Sequence, residues 1–216
     1  MRVLVTRQRE QARPLVDALV ERGFDVVVEP LIHTEPLSDE PIDVTGYDCV
    51  IVTSPNGARE LARRMVGPAL AIAAVGPGTA AALELEGLDV AFEANVHTQE
   101  GLVAELAARP GRKLFVAAEG ARAYLAEALG ADVVIAYRTV ELAVGALPAA
   151  DLALLMSPSA ARAYARAGGR GPAVSVGPQT TAAARAAGVE VVAEAESHDV
   201  HGLVDSAAAW RASSRS

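Results

Sequence analysis

The chain has 216 residues, of which 51% are hydrophobic and only 4% aromatic, and its formal net charge is −8. This length allows one large domain or two of about 100 residues, with ample material for a core. The negative charge argues against nucleic acid as a partner. The absence of any apolar run of about 18 residues excludes a membrane-spanning helix. Residues 1–7 lack a signal-peptide layout, so we expect a cytoplasmic protein.

The N-terminal residues predict a βαβ unit. Residues 3–6 and 24–29 are short apolar strands, and the apolar spacing in residues 11–22 is helical. The two strands are therefore expected to be parallel. Residues 30–36 begin and end with proline, which disfavours both helix and central strand, and we interpret them as a crossing between two domains.

The middle of the chain repeats the strand–helix pattern. Strands are predicted at 48–53, 70–75, 88–92, 113–117 and 133–136. The residues 132–135 at the beginning of the last of these strands are expected to be buried. Helices are predicted at 55–65, 77–86, 99–108 and 121–129. A second crossing follows at residues 138–142. The C-terminal part then returns to strands at 152–156, 173–176 and 190–193, with helices at 158–167, 178–187 and 199–210.

An internal repeat gives the domain organisation. Ser54-Pro55 and Ser157-Pro158 lie 103 residues apart, and Gly76-Pro77 and Gly177-Pro178 lie 101 apart. The sequence therefore predicts an α/β protein of two similar domains. Each has a five-stranded parallel sheet flanked by helices, and a two-stranded connection joins them. Domain 1 comprises residues 1–34 and 143–216, domain 2 is inserted as residues 37–137, and the linkers are 30–36 and 138–142.

The four Ser-Pro and Gly-Pro pairs open helices directly after strands. Serine or glycine suits the N-cap and proline the first helical position. Amides at such helix starts favour carboxylate or phosphate, and in parallel sheets ligands bind at this edge. Simple helix capping is the alternative explanation for each pair. If the domains face one another, the four helix starts would line one cleft.

Tyr137 is the candidate for the chemistry, because it ends a strand where the chain leaves the second domain. Its phenol could donate a proton, or it could simply finish the strand with its hydroxyl in water. Gly76-Pro77-Gly78 resembles a dinucleotide fingerprint, but its proline and the missing acidic residue count against that function. His33, His97, His198 and His201 are scattered, and His198 and His201 are interpreted as a solvent-exposed pair, so no metal site is predicted.

Taken together, these motifs resemble the uroporphyrinogen-III synthase family. The resemblance rests on Thr-Ser-Pro at 53–55, Val-Gly-Pro-x-Thr at 75–79 and 176–180, Ser-Pro-Ser at 157–159 and the crossing at Tyr137. It implies cyclisation of the linear tetrapyrrole hydroxymethylbilane, which carries eight carboxylates, to uroporphyrinogen III, with loss of water and inversion of ring D. It also implies no cofactor and no metal. A monomer is expected.

The resemblance also implies the site residues. The family's important tyrosine falls on Tyr137. Residues expected to bind substrate share a hydroxyl or a guanidinium group, the two arginines being placed by position alone: Arg7, Ser54, Thr79, Arg122, Ser157, Ser159 and Thr180. The role of Gln179, where relatives have a second threonine, stays open.

Two alternatives differ in class from this enzyme. A non-catalytic two-lobed sensor of small molecules could have the same fold, although no DNA-binding extension is present in the sequence. A nucleotide-using transferase with two Rossmann-like lobes is disfavoured by the missing acidic ribose contact and the missing catalytic base.

Overall fold

The structure is a computed structural model that describes residues 1–214, with the side chain of Glu10 left out of the description. The strands of this part of the chain are β1 (Arg2–Val5), β2 (Asp25–Val28), β3 (Ile32–Pro36), β4 (Ile42–Asp43), β5 (Cys49–Val52), β6 (Met65–Val66), β7 (Ala71–Ala74), β8 (Phe92–Glu93), β9 (Lys113–Ala118), β10 (Asp132–Glu141), β11 (Leu152–Leu155), β12 (Ala173–Ser175) and β13 (Val191–Glu194).

The helices are α1 (Arg9–Glu21), α2 (Pro55–Arg64), α3 (Pro77–Leu85), α4 (Gln99–Leu106), α5 (Tyr124–Leu129), α6 (Pro158–Arg166), α7 (Pro178–Ala186) and α8 (Val200–Ser213). Four of them, α2, α3, α6 and α7, begin with the proline of a Ser-Pro or Gly-Pro pair, as the sequence predicts. The chain forms two compact units, residues 1–33 with 140–216 (unit 1) and residues 34–139 (unit 2).

Unit 1 contains a five-stranded sheet in the order β13-β12-β11-β1-β2, with every neighbouring pair parallel. Alternating residues of each strand face opposite layers. Val3 and Val5 pack with Leu15 of α1 and Leu203 of α8, whereas Leu4 lies in the cluster that contains residues of α6 and α7. The sheet is therefore covered by helices on both faces, and its five parallel strands confirm the prediction.

Unit 2 contains a six-stranded sheet in the order β3-β10-β9-β5-β7-β8. Its last five strands are parallel and follow the order β2-β1-β11-β12-β13 of the first sheet. Helices α2 and α3 cover one face, where Leu61 and Leu83 are buried, and α4 and α5 cover the other, with Leu102 and Leu125. The shared strand order agrees with a duplicated βαβ arrangement whose units are permuted along the chain.

The predicted five strands for this sheet are wrong by one. The two crossings were predicted to lie side by side as a two-stranded connection, and β3 is indeed hydrogen-bonded beside β10, where the Leu37 amide donates to the Ala136 carbonyl at 3.1 Å. This pairing adds β3 to the sheet as its sixth strand. A small parallel pair, β4 with β6, was not predicted. The strand over 132–135 is also not buried as expected, since Val133 and Ile135 are 45% and 43% exposed near the open edge of the sheet.

Candidate functional site

Ser54 caps the helix that follows the central strand of unit 2. The chain leaves β5 in an extended conformation, with Ser54 at φ −160° and ψ 153°, and its Oγ accepts a hydrogen bond from the Gly57 amide at 3.0 Å. Pro55 occupies the first helical position, where no amide is needed. The cap fixes the Ser54 hydroxyl at the carboxyl end of β5.

Tyr137 reaches the same point from β10. The pairing of β10 with β9 shifts between Ile135 and Tyr137, and Ala136 and Tyr137 both lie in the core cluster under α2 and α3 although they are consecutive in the strand. Such a bulge redirects side chains. The Tyr137 hydroxyl lies 2.6 Å from Ser54 Oγ, across the one intervening strand β9. The structure thus joins two predicted site residues that are 83 positions apart.

The first turn of α2 packs tightly against the strand ends. A Cβ atom on Gly57 would lie 3.3 Å from Ser54 Oγ and 3.4 Å from the Val116 carbonyl oxygen. Glycine at this position therefore allows the helix start, the Ser54 hydroxyl and the end of β9 to approach one another closely.

The environment of Tyr137 keeps its phenol protonated. Burial raises the pKa of Tyr137 above its ordinary value, while the hydrogen bond with Ser54 and the positive charge of Arg59 act in the opposite direction. The net effect is upward, because the ring is only 6% exposed. At neutral pH the group is a neutral phenol, which can donate a proton but carries no negative charge that would repel an anion.

The Gly-Pro helix starts have a feature that the sequence did not reveal. Gly76 and Gly177 have extended backbones that any residue could adopt, at φ 171° and 167°. A Cβ atom at either position would lie 2.9 Å from an imidazole carbon, of His97 and of His198 respectively. Glycine is therefore needed for space. His198 is half-buried against Gly177, so the predicted exposed pair of His198 and His201 is wrong for His198.

The other predicted hydroxyls differ in accessibility. Thr79 and Thr180 are 4% and 3% exposed in the first turns of α3 and α7. Ser157 caps α6 by accepting a hydrogen bond from the Ala160 amide at 3.1 Å, and Ser159 accepts one from Arg162 at 3.3 Å. Their role in substrate binding stays a prediction.

The two predicted arginines are both engaged within the protein. Arg7 donates to Gln11 Oε1 at 3.2 Å and lies 3.5 Å from the Met156 sulfur. Arg122 makes a two-pronged ion pair with Glu100, at 2.7 and 3.2 Å. This contact, followed by a backbone hydrogen bond, lowers the pKa of Glu100 to about 2. Because Arg122 already holds a carboxylate, its assignment as a substrate ligand is weakened.

A polar cluster in unit 1, made of two buried hydroxyls and an exposed carboxylate, was missed by sequence reasoning. The Ser175 and Thr181 hydroxyls lie 2.5 Å apart, and Thr181 donates to the carboxylate of Glu194. The equivalent positions of the repeat in unit 2 are Ala74, Ala80 and Glu93. The sequence signal that could have predicted this cluster is the pair of hydroxyl residues on either side of Gly177-Pro178.

A separate cavity of about 480 Å³ lies between α6 and α7, lined by Arg162, Arg166, Arg170 and alanines of both helices. It includes none of the predicted site residues. Among the side chains described for residues 1–214, no group of three or more His, Cys, Asp or Glu residues is placed to hold a metal ion. Within the same range, none of the helices has the length and apolar character needed to cross a membrane.

With this geometry in place, comparison with known families is decisive. Residues 13–205 match the family model HEM4, described as uroporphyrinogen-III synthase HemD. The chain belongs to the uroporphyrinogen-III synthase family. Its activity is accordingly that of a lyase-type enzyme of porphyrin and haem biosynthesis, with a tetrapyrrole substrate. The family predicted from the sequence is confirmed, and the alternative of a non-catalytic sensor receives no support.

The fold agrees with this family. The chain is 18% identical to a mutant uroporphyrinogen III synthase from the extremely thermophilic bacterium Thermus thermophilus, with 100% of each chain covered and a TM-score of 0.60. The wild-type protein in a second crystal form is also 18% identical over 100% of both chains, with a TM-score of 0.46. At this identity the first likeness supports the α/β fold with parallel sheets flanked by helices.

Proposed function

We propose that this member of the family cyclises hydroxymethylbilane to uroporphyrinogen III without a cofactor, and that Tyr137 donates the proton that starts the reaction. The observation that carries the assignment of Tyr137 is its hydroxyl, buried in a neutral form and 2.6 Å from the capping hydroxyl of Ser54. Both groups lie at the start of a helix, where backbone amides favour a carboxylate-bearing ligand.

The proposed first step breaks the C–O bond of the hydroxymethyl group. Tyr137 protonates the departing oxygen, which leaves as water, and the pyrrole nitrogen supplies the electron pair that forms an azafulvene cation. The substituted carbon of ring D then attacks this cation, giving a spiro intermediate that reopens and closes again with the ring inverted. Closure releases a proton, which restores the phenol and balances the reaction. Positioned acids of this kind typically accelerate a reaction by roughly 10²- to 10⁴-fold.

The second task of the enzyme is to select the isomer. Spontaneous closure gives the product without inversion, so the protein must hold the chain with the substituted carbon of ring D nearest the cation. The residues proposed to bind the carboxylates for this purpose share polar side chains at or near strand ends: Arg7, Ser54, Thr79, Ser157, Ser159 and Thr180. Arg122 is left out of this set, because its guanidinium group already pairs with Glu100. We also propose that the protein is cytoplasmic and monomeric. Sedimentation measurements would test the monomeric state.

The deciding experiment supplies hydroxymethylbilane generated enzymatically and separates the oxidised products by chromatography. Uroporphyrinogen III in excess of the spontaneous isomer, formed by metal-free protein in the presence of a chelator, is the expected result. Formation of the type I isomer alone would contradict the proposed reaction. A dependence on an added metal or cofactor would contradict the cofactor-free mechanism but leave the family activity in place.

A further inference from the structure

The Ser-Pro repeat extends further than the helix caps. Residues 54–59 read Ser-Pro-Asn-Gly-Ala-Arg and residues 157–162 read Ser-Pro-Ser-Ala-Ala-Arg. An arginine therefore stands five positions after the capping serine in both copies. The proposed mechanism uses the caps but gives these two arginines, Arg59 and Arg162, no role.

Both arginines hydrogen-bond to the first turn of their own helix. Arg59 Nη1 donates to Asn56 Oδ1 at 2.6 Å, and Arg162 Nη2 donates to Ser159 Oγ at 3.3 Å. In each copy the partner is the second residue after the cap, so the guanidinium group is held near the helix start and not out along the helix. Both partners are neutral side chains, and the full positive charge of each arginine is retained.

This arrangement distinguishes Arg59 from Arg63, which is paired with carboxylates, and from Arg64, which is only 7% exposed. Arg63 is paired with the carboxylates of Asp39 at 2.5 Å and Glu60 at 2.7 Å, and Arg64 donates to the Glu40 carbonyl oxygen at 2.7 Å. Within the described residues, Arg59 forms no ion pair with a carboxylate. In a chain with a net charge of −8, a half-buried guanidinium group that keeps its charge is available for an external anion.

The positive charge of Arg59 also acts on the Tyr137 phenol. This charge lowers the pKa of Tyr137 against the larger upward effect of burial. The phenol, the Ser54 hydroxyl and the Arg59 guanidinium group are thus grouped at the start of one helix.

The corresponding arginine of unit 1 has different neighbours. Arg162 is exposed and borders the cavity between α6 and α7, together with Arg166 and Arg170. Arg166 is neutralised by Glu141, and Arg170 donates to the carbonyl oxygens of Ala165 and Gly169. Arg162 and Arg170 therefore both keep their charge, but Arg170 is tied to backbone carbonyls, whereas Arg162 is held at the helix start by Ser159.

We propose that Arg59 binds a carboxylate of the tetrapyrrole beside Tyr137, and that Arg162 is its counterpart in the duplicated motif. The inference rests on the proposed function, which supplies the polycarboxylate substrate. A guanidinium group binds a carboxylate through two parallel hydrogen bonds, so it fixes the orientation of a substrate side chain as well as its charge. Arg59 is in this sense a substrate-positioning residue next to the proton donor.

The test compares Arg59→Gln with Arg63→Gln, a matched loss of charge one turn later on the same helix. For Arg59→Gln we expect KM for hydroxymethylbilane to rise roughly 10- to 100-fold, with kcat changed much less. Arg63→Gln is expected to keep the KM of the unmodified protein, and Arg59→Lys to recover part of the loss because it restores charge without the planar fork.

A second readout separates binding from a purely structural role. Removing Arg59 removes a charge that lowers the pKa of Tyr137, so the basic limb of the kcat/KM profile should move to higher pH. Arg162→Gln should raise KM while leaving that limb in place.

The outcomes separate the two proposals. An unchanged KM in Arg59→Gln, with normal type III product from the unmodified protein, overturns the role of Arg59 and leaves the proposed function standing. Type I product alone from the unmodified protein overturns the proposed function and this inference together. Equal KM increases in Arg59→Gln and Arg63→Gln would show a general charge effect and would also overturn the inference.

Discussion

The two Ser-Pro helix starts have the same local structure but different neighbours. Ser54 and Ser157 each accept an amide hydrogen bond from the residue three positions later, at 3.0 and 3.1 Å. Ser54 additionally meets the Tyr137 hydroxyl. By the repeat, the position equivalent to Tyr137 in unit 1 is Pro30, which has no hydroxyl.

At the Gly-Pro helix starts the additional hydroxyl side chains, and the hydrogen bonds that they form, are in unit 1. In unit 1 the side chains of Ser175, Thr181 and Glu194 are hydrogen-bonded to one another at the start of α7. In unit 2 two of these positions are alanine, and Glu93 lies 3.7 Å from His97. The duplicated scaffold therefore supplies capped helix starts twice, but the proposed proton donor is present in one copy only. This comparison predicts that equivalent substitutions will affect stability alike and turnover unequally.

The largest expected effect is that of Tyr137→Phe, which removes the donor and leaves the ring packing. Turnover to the type III isomer should fall by roughly 10²- to 10⁴-fold, because the leaving hydroxyl is no longer protonated by the protein. Tyr164→Phe is the matched control, since Tyr164 is 7% exposed in unit 1 and burial raises its pKa too. Near-normal turnover in Tyr137→Phe would remove its assigned role.

Next in size is a pair of substitutions that should behave identically in both units. A Cβ on Gly101 would lie 2.0 Å from the Val96 carbonyl oxygen, and one on Gly202 would lie 2.1 Å from that of Ser197. Gly101→Ala and Gly202→Ala should therefore each lower the free energy of unfolding by about 1–3 kcal/mol, as overpacking does.

Chemical denaturation of the two variants would measure this loss. Gly78→Ala is the control, since no atom lies within 4 Å of its added methyl group. A large loss in only one of the two units would show that the repeat does not extend to these helix starts.

Ser54→Ala and Ser157→Ala compare the two caps directly. Each variant should lose about 1 kcal/mol of stability, because one amide at the helix start loses its acceptor. Only Ser54→Ala should also raise the pKa of Tyr137, since the Ser54 hydrogen bond lowers it. Thermal denaturation and the pH dependence of turnover would measure the two effects, and identical pH profiles for both variants would contradict the Ser54–Tyr137 interaction.

The smallest effect is expected from Arg122→Gln. The lowered pKa of Glu100, about 2 in place of 4.5, means that the ion pair stabilises the folded state above pH 4.5 and that this contribution is lost as pH falls toward 2. Both side chains are about half exposed, at 44% and 50%, so the contribution should be below about 1 kcal/mol. Melting temperatures of both proteins should differ at neutral pH and converge in acid, and a constant difference would contradict the ion-pair explanation.

The sequence predicted the elements whose signals are local. Ser-Pro and Gly-Pro after apolar strands correctly predicted four helix starts, because capping depends on neighbouring residues only. The order of the strands within each sheet was not predicted and comes from the structure.

Features that depend on distant contacts could not be predicted in this way. The meeting of Ser54 and Tyr137 requires the shift in pairing between β10 and β9, which no local pattern indicates. The exposure of Val133 and Ile135 and the sixth strand both depend on what lies at the sheet edge. Arg59 was overlooked because its contact with Asn56 is visible only when the helix is built.

At each Gly-Pro helix start an imidazole ring packs directly on the glycine, so the volumes of the glycine and the histidine side chain depend on each other. Enlarging Gly76 alone pushes on the ring of His97, and shrinking His97 alone opens a void over the glycine. Replacing only one of the two residues should therefore be unfavourable. A larger residue in place of the glycine together with a smaller one in place of the histidine should be tolerated. The same coupling links Gly177 and His198, so homologues would be expected to change these residues in concert or not at all.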